Sequence, residues 1–481
     1  MNLELAIVAG VRRKTKAFGY QVIGPAFAAF ASVLVFFNYL FFLKWFPITE
    51  GRWWVCLFII AAFPFAIFFI RYILRARFSF GALILFCAVI LVNFYVSRDE
   101  SYNSTYFYGF LLLSVPFFVL GVVAGHWPKA IILVLFVAVG SFSIAILVAY
   151  FHYGGLWDAL GFRDILYIPR KAGRPPFQTD YQLVAYGLAF GAIVAWAALS
   201  KKMPGWAHHL FGAVISIALT QIGSRGALLL FVLCYLLLLA KTQTIRMAIS
   251  AGLLIIALMF VVAVEFPNSA TFARAEYAQE FGVLVGKCKE EKETNCVGHP
   301  SLSWGRGTLY TYAVLGWFES PSTILFGHGF GSYSMNLADV YPNWIFKPAD
   351  GSVYPHNIVL EAGYELGIIG VISLVAVIGP PLFRLILASW RQATGFETAV
   401  AILYIMACGL AMISGAIAYE YQLYFLLGTA SVSGIPQARF RKPNGAPEEE
   451  TILQSPNHLI ARPIGSEPRR TSEPSSRTLS T

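Results

Sequence analysis

Hydrophobic residues run along this chain in long blocks rather than alternating with polar residues at a helix or strand period. Blocks close to the length that carries an α-helix across a bilayer, about 20 apolar residues, recur along the chain. They fall at 20–43, 53–71, 79–97, 106–125, 130–152, 181–199, 206–223, 226–240, 247–266, 357–383, 398–419 and 421–436. The pattern predicts an all-α, polytopic transmembrane helical bundle of about twelve spans, with 20–436 as the membrane domain. The division between 206–223 and 226–240 rests on Ser224 and Arg225 alone, which interrupt an otherwise continuous apolar stretch.

Composition agrees with that reading. Of 481 residues, 58% are hydrophobic and 12% charged, against about 45–50% and 25% in soluble domains. Arg12, Arg13, Lys14 and Lys16 precede the first block, which is too long for a signal-peptide core and has no small-residue cleavage site after it. The block is therefore expected to act as its own signal anchor. With 1–19 as a basic cytoplasmic N-terminus, the inner ends carry Arg71, Arg75, Arg77, Lys129, Lys201, Lys202, Lys241, Arg246, Arg384 and Arg391. That is the positive-inside bias. Two long loops, 153–180 and 267–356, then face outward, and 437–481, rich in Pro, Ser, Arg and Glu, reads as a disordered cytoplasmic tail. The net charge of +10 belongs with anionic lipid headgroups and topology rather than nucleic acid.

Of six cysteines, Cys56, Cys87, Cys234 and Cys408 fall in apolar blocks and read as small buried hydrophobes. Cys288 and Cys296 share the larger outer loop in "GKCKEEKETNC", a candidate disulfide if that loop meets an oxidising compartment. Two free thiols are the plainer alternative.

The outer side collects nearly all of the unusual chemistry. "PRKAGRPP" offers Arg170, Lys171 and Arg174 as candidate phosphate ligands, or as an ordinary solvated loop on headgroups. Arg225, in "GSRG" between two apolar blocks, either snorkels at a tight turn or faces a polar partner. "GRGTLYTYAVLGWFES" suits a helix lying at the membrane surface, with Arg306 at its N-terminal end where backbone N–H groups also favour anions. In "LFGHGFGSY" the glycines permit close approach to phosphate, but a turn that folds the loop back is the simpler reading. "VYPHNIVLEAGYELGIIG" places Pro355 at a helix start, which puts His356 and Asn357 in the first turn. Asn357, Glu361 and Glu365 then form one polar stripe, expected to face protein or water. His356, at a helix N-terminus that disfavours the imidazolium, is a candidate general base. A hydrogen-bonded structural histidine is the alternative, and for Glu361 helix packing is the retained reading.

These residues resemble the O-antigen ligase and polymerase superfamily over about 175–375, through "GSRGALLL", "WGRGTLY", "LFGHGFGSY" and "PHNIVLEAGYELGIIG". The His-Asn pair followed by Glu365 and Gly367 is the most specific part. The resemblance implies a GT-C-like glycosyltransferase of the bacterial inner membrane with no metal or cofactor, with 153–180 and 267–356 as periplasmic loops, the larger of which contains interfacial helices. It implies a donor glycan on undecaprenyl diphosphate, diphosphate binding by Arg225 and Arg306, and His356 as the base. Arg170, Lys171, Arg174, Asn357 and Glu365 are further candidate substrate contacts. The acceptor would be lipid A-core in a ligase, or a growing lipid-linked glycan in a polymerase. A lipid-linked solute transporter would instead predict inverted repeats and ionisable residues near mid-membrane. A scaffold in an envelope complex would leave the polar stripe unexplained.

Overall fold

A computed structural model describes residues 22–41, 76–96, 101–137, 181–222, 224–265, 306–340, 354–388, 390, 395–418 and 420–432. Among these residues there is no strand. In chain order the helices are α1 (Gly24–Phe41), α2 (Arg77–Val96), α3 (Ser101–Gly109) and α4 (Val115–Ala124). Next come α5 (Pro128–Val137), α6 (Tyr181–Leu199), α7 (Gly205–Ile222), α8 (Arg225–Thr242) and α9 (Ile245–Glu265). Then follow α10 (Arg306–Trp317), α11 (Pro321–Phe326), α12 (Ser332–Val340), α13 (Ile358–Leu387), α14 (Gly395–Ser414) and α15 (Tyr421–Val432).

Six helical stretches are long and apolar enough to cross a bilayer: α2, the 106–124 stretch, α8, α9, α13 and α14. Large apolar side chains face outward on them, including Phe78, Val92, Ile256, Phe260, Ile372 and Phe383, where lipid rather than water is the favourable solvent. The protein is a multi-pass membrane protein, all-α among the described residues. Every predicted span has a helix at its place except 53–71, which lies outside the described residues, as does most of 130–152. Ser224 and Arg225 do divide two helices, with Ser224 extended at φ −97° and ψ 92° as the N-cap of α8. The loop 153–180, most of 267–356 and the tail 437–481 lie outside the described residues.

Backbone packing is tightest where α4 meets α15. A Cβ at Gly121 would overlap the Phe425 carbonyl, one at Gly428 would overlap the Phe118 carbonyl, and one at Gly125 would lie 2.7 Å from the Thr429 carbonyl oxygen. Gly121 and Gly125 are four residues apart and so share one face, the small-residue spacing by which helices approach closely in lipid. Between α3 and α4 runs a π-helical segment, Phe110–Ser114. Pro116 follows it and has no N–H to offer Leu112, so a wider turn at this point is the expected adjustment.

Helix ends define two ends of the bundle. The starts of α6, α8, α13 and α15 and the ends of α2, α9 and α14 lie at one, together with α10, α11 and α12. At this end Asn93 near the close of α2 donates to the Phe326 carbonyl at 2.9 Å. At the other end Lys241 of α8 donates to the Ile386 carbonyl at 2.8 Å, and Ser79 of α2 accepts from Ser431 of α15 at 2.9 Å. Arg77, Lys129, Lys202, Lys241, Arg246 and Arg384 all belong to that other end. Arg71, Arg75 and Arg391, read with them from the sequence, lie outside the described residues.

Candidate functional site

The start of α13 organises the opposite end. Asn357, extended at φ −152°, is its N-cap: the side-chain oxygen accepts from Val359 and Leu360 N–H, each at 3.0 Å. Helix therefore begins at Ile358, and His356 and Asn357 precede the first turn rather than occupy it. The cause is local. His356 has φ 57°, in the left-handed region, where a non-glycine residue costs about 1–2 kcal/mol and cannot continue a helix. The Tyr354 ring lies 4.4 Å from the half-buried His356 ring, and Tyr310 of α10 donates to the His356 carbonyl at 3.4 Å.

That last contact joins two of the sequence candidates. Arg306 is the first residue of α10, four positions before Tyr310, hence one turn along the same face. Its side chain lies outside the described residues. Arg225, exposed at the first position of α8, is at the same end. A Cβ on its neighbour Gly226 would lie 3.0 Å from Ile413 in the last turn of α14 and 3.3 Å from the Tyr186 hydroxyl of α6. Arg225, Arg306 and His356 thus all stand at element starts on one end of the bundle. Arg170, Lys171, Arg174, Cys288 and Cys296 lie outside the described residues.

The glycine-rich stretch has a definite job. Inside α13, Gly367 breaks the helix at φ 67° and ψ −164°. In an unbroken helix the Tyr364 and Glu365 carbonyls would serve residues four positions on; the break opens them to outside donors. His328 N–H donates to the Tyr364 carbonyl and Gly329 N–H to the Glu365 carbonyl, both at 2.9 Å. Contact is close on both sides: a Cβ at Gly327 would overlap the Glu365 carbonyl, and one at Gly367 would overlap the Leu325 carbonyl. Gly327, like Gly367, has a positive φ, 73°. The turn therefore spends these two amides on α13. Around the crossing His328 stacks on Tyr364 at 4.5 Å and donates through Nε2 to the Gly316 carbonyl, 2.9 Å away. Asn336 of α12 donates to the Tyr364 hydroxyl at 3.0 Å, and Tyr333 donates to the Leu309 carbonyl of α10 at 2.9 Å.

Both glutamates of the predicted stripe face protein. Glu365, 2% exposed, accepts from Tyr333 N–H at the start of α12, 3.4 Å away. Glu361, 1% exposed, accepts from the Tyr106 hydroxyl of α3 and, at 2.9 Å, from Ile417 N–H in the turn after α14. Packing is the role the sequence reading retained for Glu361. Asn357 and Glu365, offered as substrate contacts, both have backbone amides of the protein as partners.

One acid at this end escaped the sequence reading. Glu420, half-buried, stands between α14 and α15, and burial pushes its carboxyl up from 4.5 to about 7. The available signal was its position as the lone residue between the apolar blocks 398–419 and 421–436. Tyr106 and Tyr310 carried no signal, being aromatic residues in aromatic-rich stretches.

Residues 210–375 match a family model described as O-Antigen ligase. The matched segment takes in Arg225, Arg306, the glycine turn, His356 and the Gly367 break. No curated protein matches the chain.

Proposed function

On the match of residues 210–375 to the O-antigen ligase family, we propose that the chain is a member of the O-antigen ligase and polymerase superfamily and carries out inverting, metal-independent transfer of a glycan from undecaprenyl diphosphate to a hydroxyl acceptor. The acceptor is lipid A-core, the ligase reaction, and the site faces the periplasm of a bacterial inner membrane. The observation that carries this reading is the placement of His356. It is held in a strained turn, tied through Tyr310 to the helix that Arg306 opens, at the end of the bundle where Arg225 opens α8. Backbone strain of this kind gathers at functional sites. The basic opposite end supports the orientation, since basic ends stay in the cytoplasm.

His356 takes the proton of the acceptor hydroxyl as that oxygen attacks the anomeric carbon from the face opposite the diphosphate. The bond from carbon to the diphosphate oxygen breaks, and undecaprenyl diphosphate leaves with the electron pair. Arg225 and Arg306 meet the negative charge that grows on the leaving group, the interaction that is stronger in the transition state than before it. Arg170, Lys171 and Arg174 are further candidates for the lipid-linked substrate.

The test uses purified protein, undecaprenyl-diphosphate-linked repeat units and EDTA, with and without lipid A-core. A product that requires lipid A-core supports the ligase reading. A ladder formed without it makes the protein a polymerase that joins repeat units, the second reaction of the superfamily. His356→Ala is expected to lower turnover by about 10²–10⁴-fold, the contribution of a general base. Normal turnover in that variant, or loss of wild-type turnover in EDTA, overturns the mechanism.

A further inference from the structure

Glu361 lies five residues after His356 and is enclosed by protein, and both of its oxygens are engaged. The Tyr106 hydroxyl donates to one and Ile417 N–H to the other. The same tyrosine hydroxyl accepts from Ala418 N–H at 3.4 Å. Ser114, in the π-helical segment, donates to the Ala418 carbonyl at 3.0 Å. Three segments far apart in sequence therefore meet on one side chain: α3, the start of α13, and the turn between α14 and α15. An apolar residue would fill the same space without needing donors, and buried carboxylates are often no better than apolar replacements for stability. A tie this specific calls for a reason other than packing.

His356 supplies the reason. Its left-handed backbone persists only if the surroundings over-determine it. Asn357 fixes the strained turn to the first residues of α13, but that piece runs only from Ile358 to the break at Gly367. So short a piece holds nothing in place unless it is itself anchored. Glu365 ties its far end to α12, and Glu361 ties its near end to α3 and the α14–α15 turn.

We propose that Glu361 is a positioning residue for His356. Through Tyr106 and Ile417 it fixes the short first piece of α13, and with it the strained turn that aims the imidazole. This rests on the reading of His356 as the base, and Glu361 itself touches no substrate.

The experiment follows the rate at which His356 of the full-length protein reacts with diethyl pyrocarbonate, read by mass spectrometry of its peptide. His126 and His328 serve as internal references. Wild type, Glu361→Gln and Tyr106→Phe are compared; Tyr106→Phe removes a single oxygen and carries the test if Glu361→Gln does not accumulate. The expected result is a several-fold rise at His356 with the references unmoved. In the transfer assay, kcat is expected to fall by up to about 10²-fold, as when a reacting group is displaced by an ångström, with KM for the lipid-linked donor unchanged. An unchanged His356 rate in both variants overturns the proposal. If wild type transfers no glycan, the functional reading falls, while the modification rates still decide whether Glu361 positions His356.

Discussion

Where α4 meets α15, glycines let two continuous helices lie backbone against backbone, and every residue involved keeps a helical conformation. Where the 327–331 turn meets α13, glycines also let backbones touch, but Gly327 and Gly367 have positive φ and the contact breaks a helix. The first contact gains dispersion energy in a solvent where burial of apolar surface gains little. The second exchanges regular helix for two hydrogen bonds from outside and a short piece that follows the candidate base, His356. Close approach by itself therefore does not mark function. What distinguishes the second contact is that backbone conformation is given up to obtain it.

Substitution of the two glycines breaks the comparison most directly. Gly367→Ala meets both a left-handed φ and the Leu325 backbone, so it is expected to cost about 3 kcal/mol or more and to abolish transfer even in the fraction that folds. Gly121→Ala forces α4 from α15 at a cost of about 1–3 kcal/mol, but turnover per folded molecule should stay normal. Thermal unfolding in detergent, paired with the transfer assay, checks both. Equal loss of turnover per folded molecule would erase the distinction. A smaller effect is expected at Asn357→Ala, which removes a cap worth about 1 kcal/mol and should lower the unfolding midpoint modestly while turnover falls more steeply, because His356 is its neighbour.

The smallest effect concerns Glu420. Its carboxyl is raised from 4.5 to about 7 in the fold, so folding favours the protonated form. The associated stability is complete below pH 4.5 and is lost as pH rises through about 7. Glu420→Gln should thus unfold at a higher temperature than wild type at pH 8, with the gap closing as pH falls to 4.5. A gap independent of pH would show that burial does not perturb this group.

Much of the fold was legible because lipid imposes a simple rule: apolar blocks of span length become helices. Even the weak division at Ser224 and Arg225 held, since a polar pair in hydrocarbon demands an end. The stripe of Glu361 and Glu365 was legible as inward-facing for the same reason, though not its partners: Tyr106 lies 255 positions from Glu361. The break at Gly367 was hidden, because the apolar pattern continues on both sides and glycine is common in membrane helices. The start of α13 was misplaced by Pro355, a good first-turn residue that here precedes a left-handed histidine. No local pattern announces such a turn, because the partners that tie it and the first piece of α13 to other elements, Tyr310, Tyr106 and Ile417, are far away in sequence.

The break in α13 also sets a depth. From Ile368 to Leu387 about 20 residues remain, which at 1.5 Å each rise about 30 Å, the thickness of the hydrocarbon layer. The piece below the break is long enough to cross the oily layer alone, and on the proposed reading the piece above it stands in the headgroup zone. There a diphosphate on a lipid tail would arrive at the height of His356 without leaving the leaflet, and two buried carboxylates would sit where ions are tolerated.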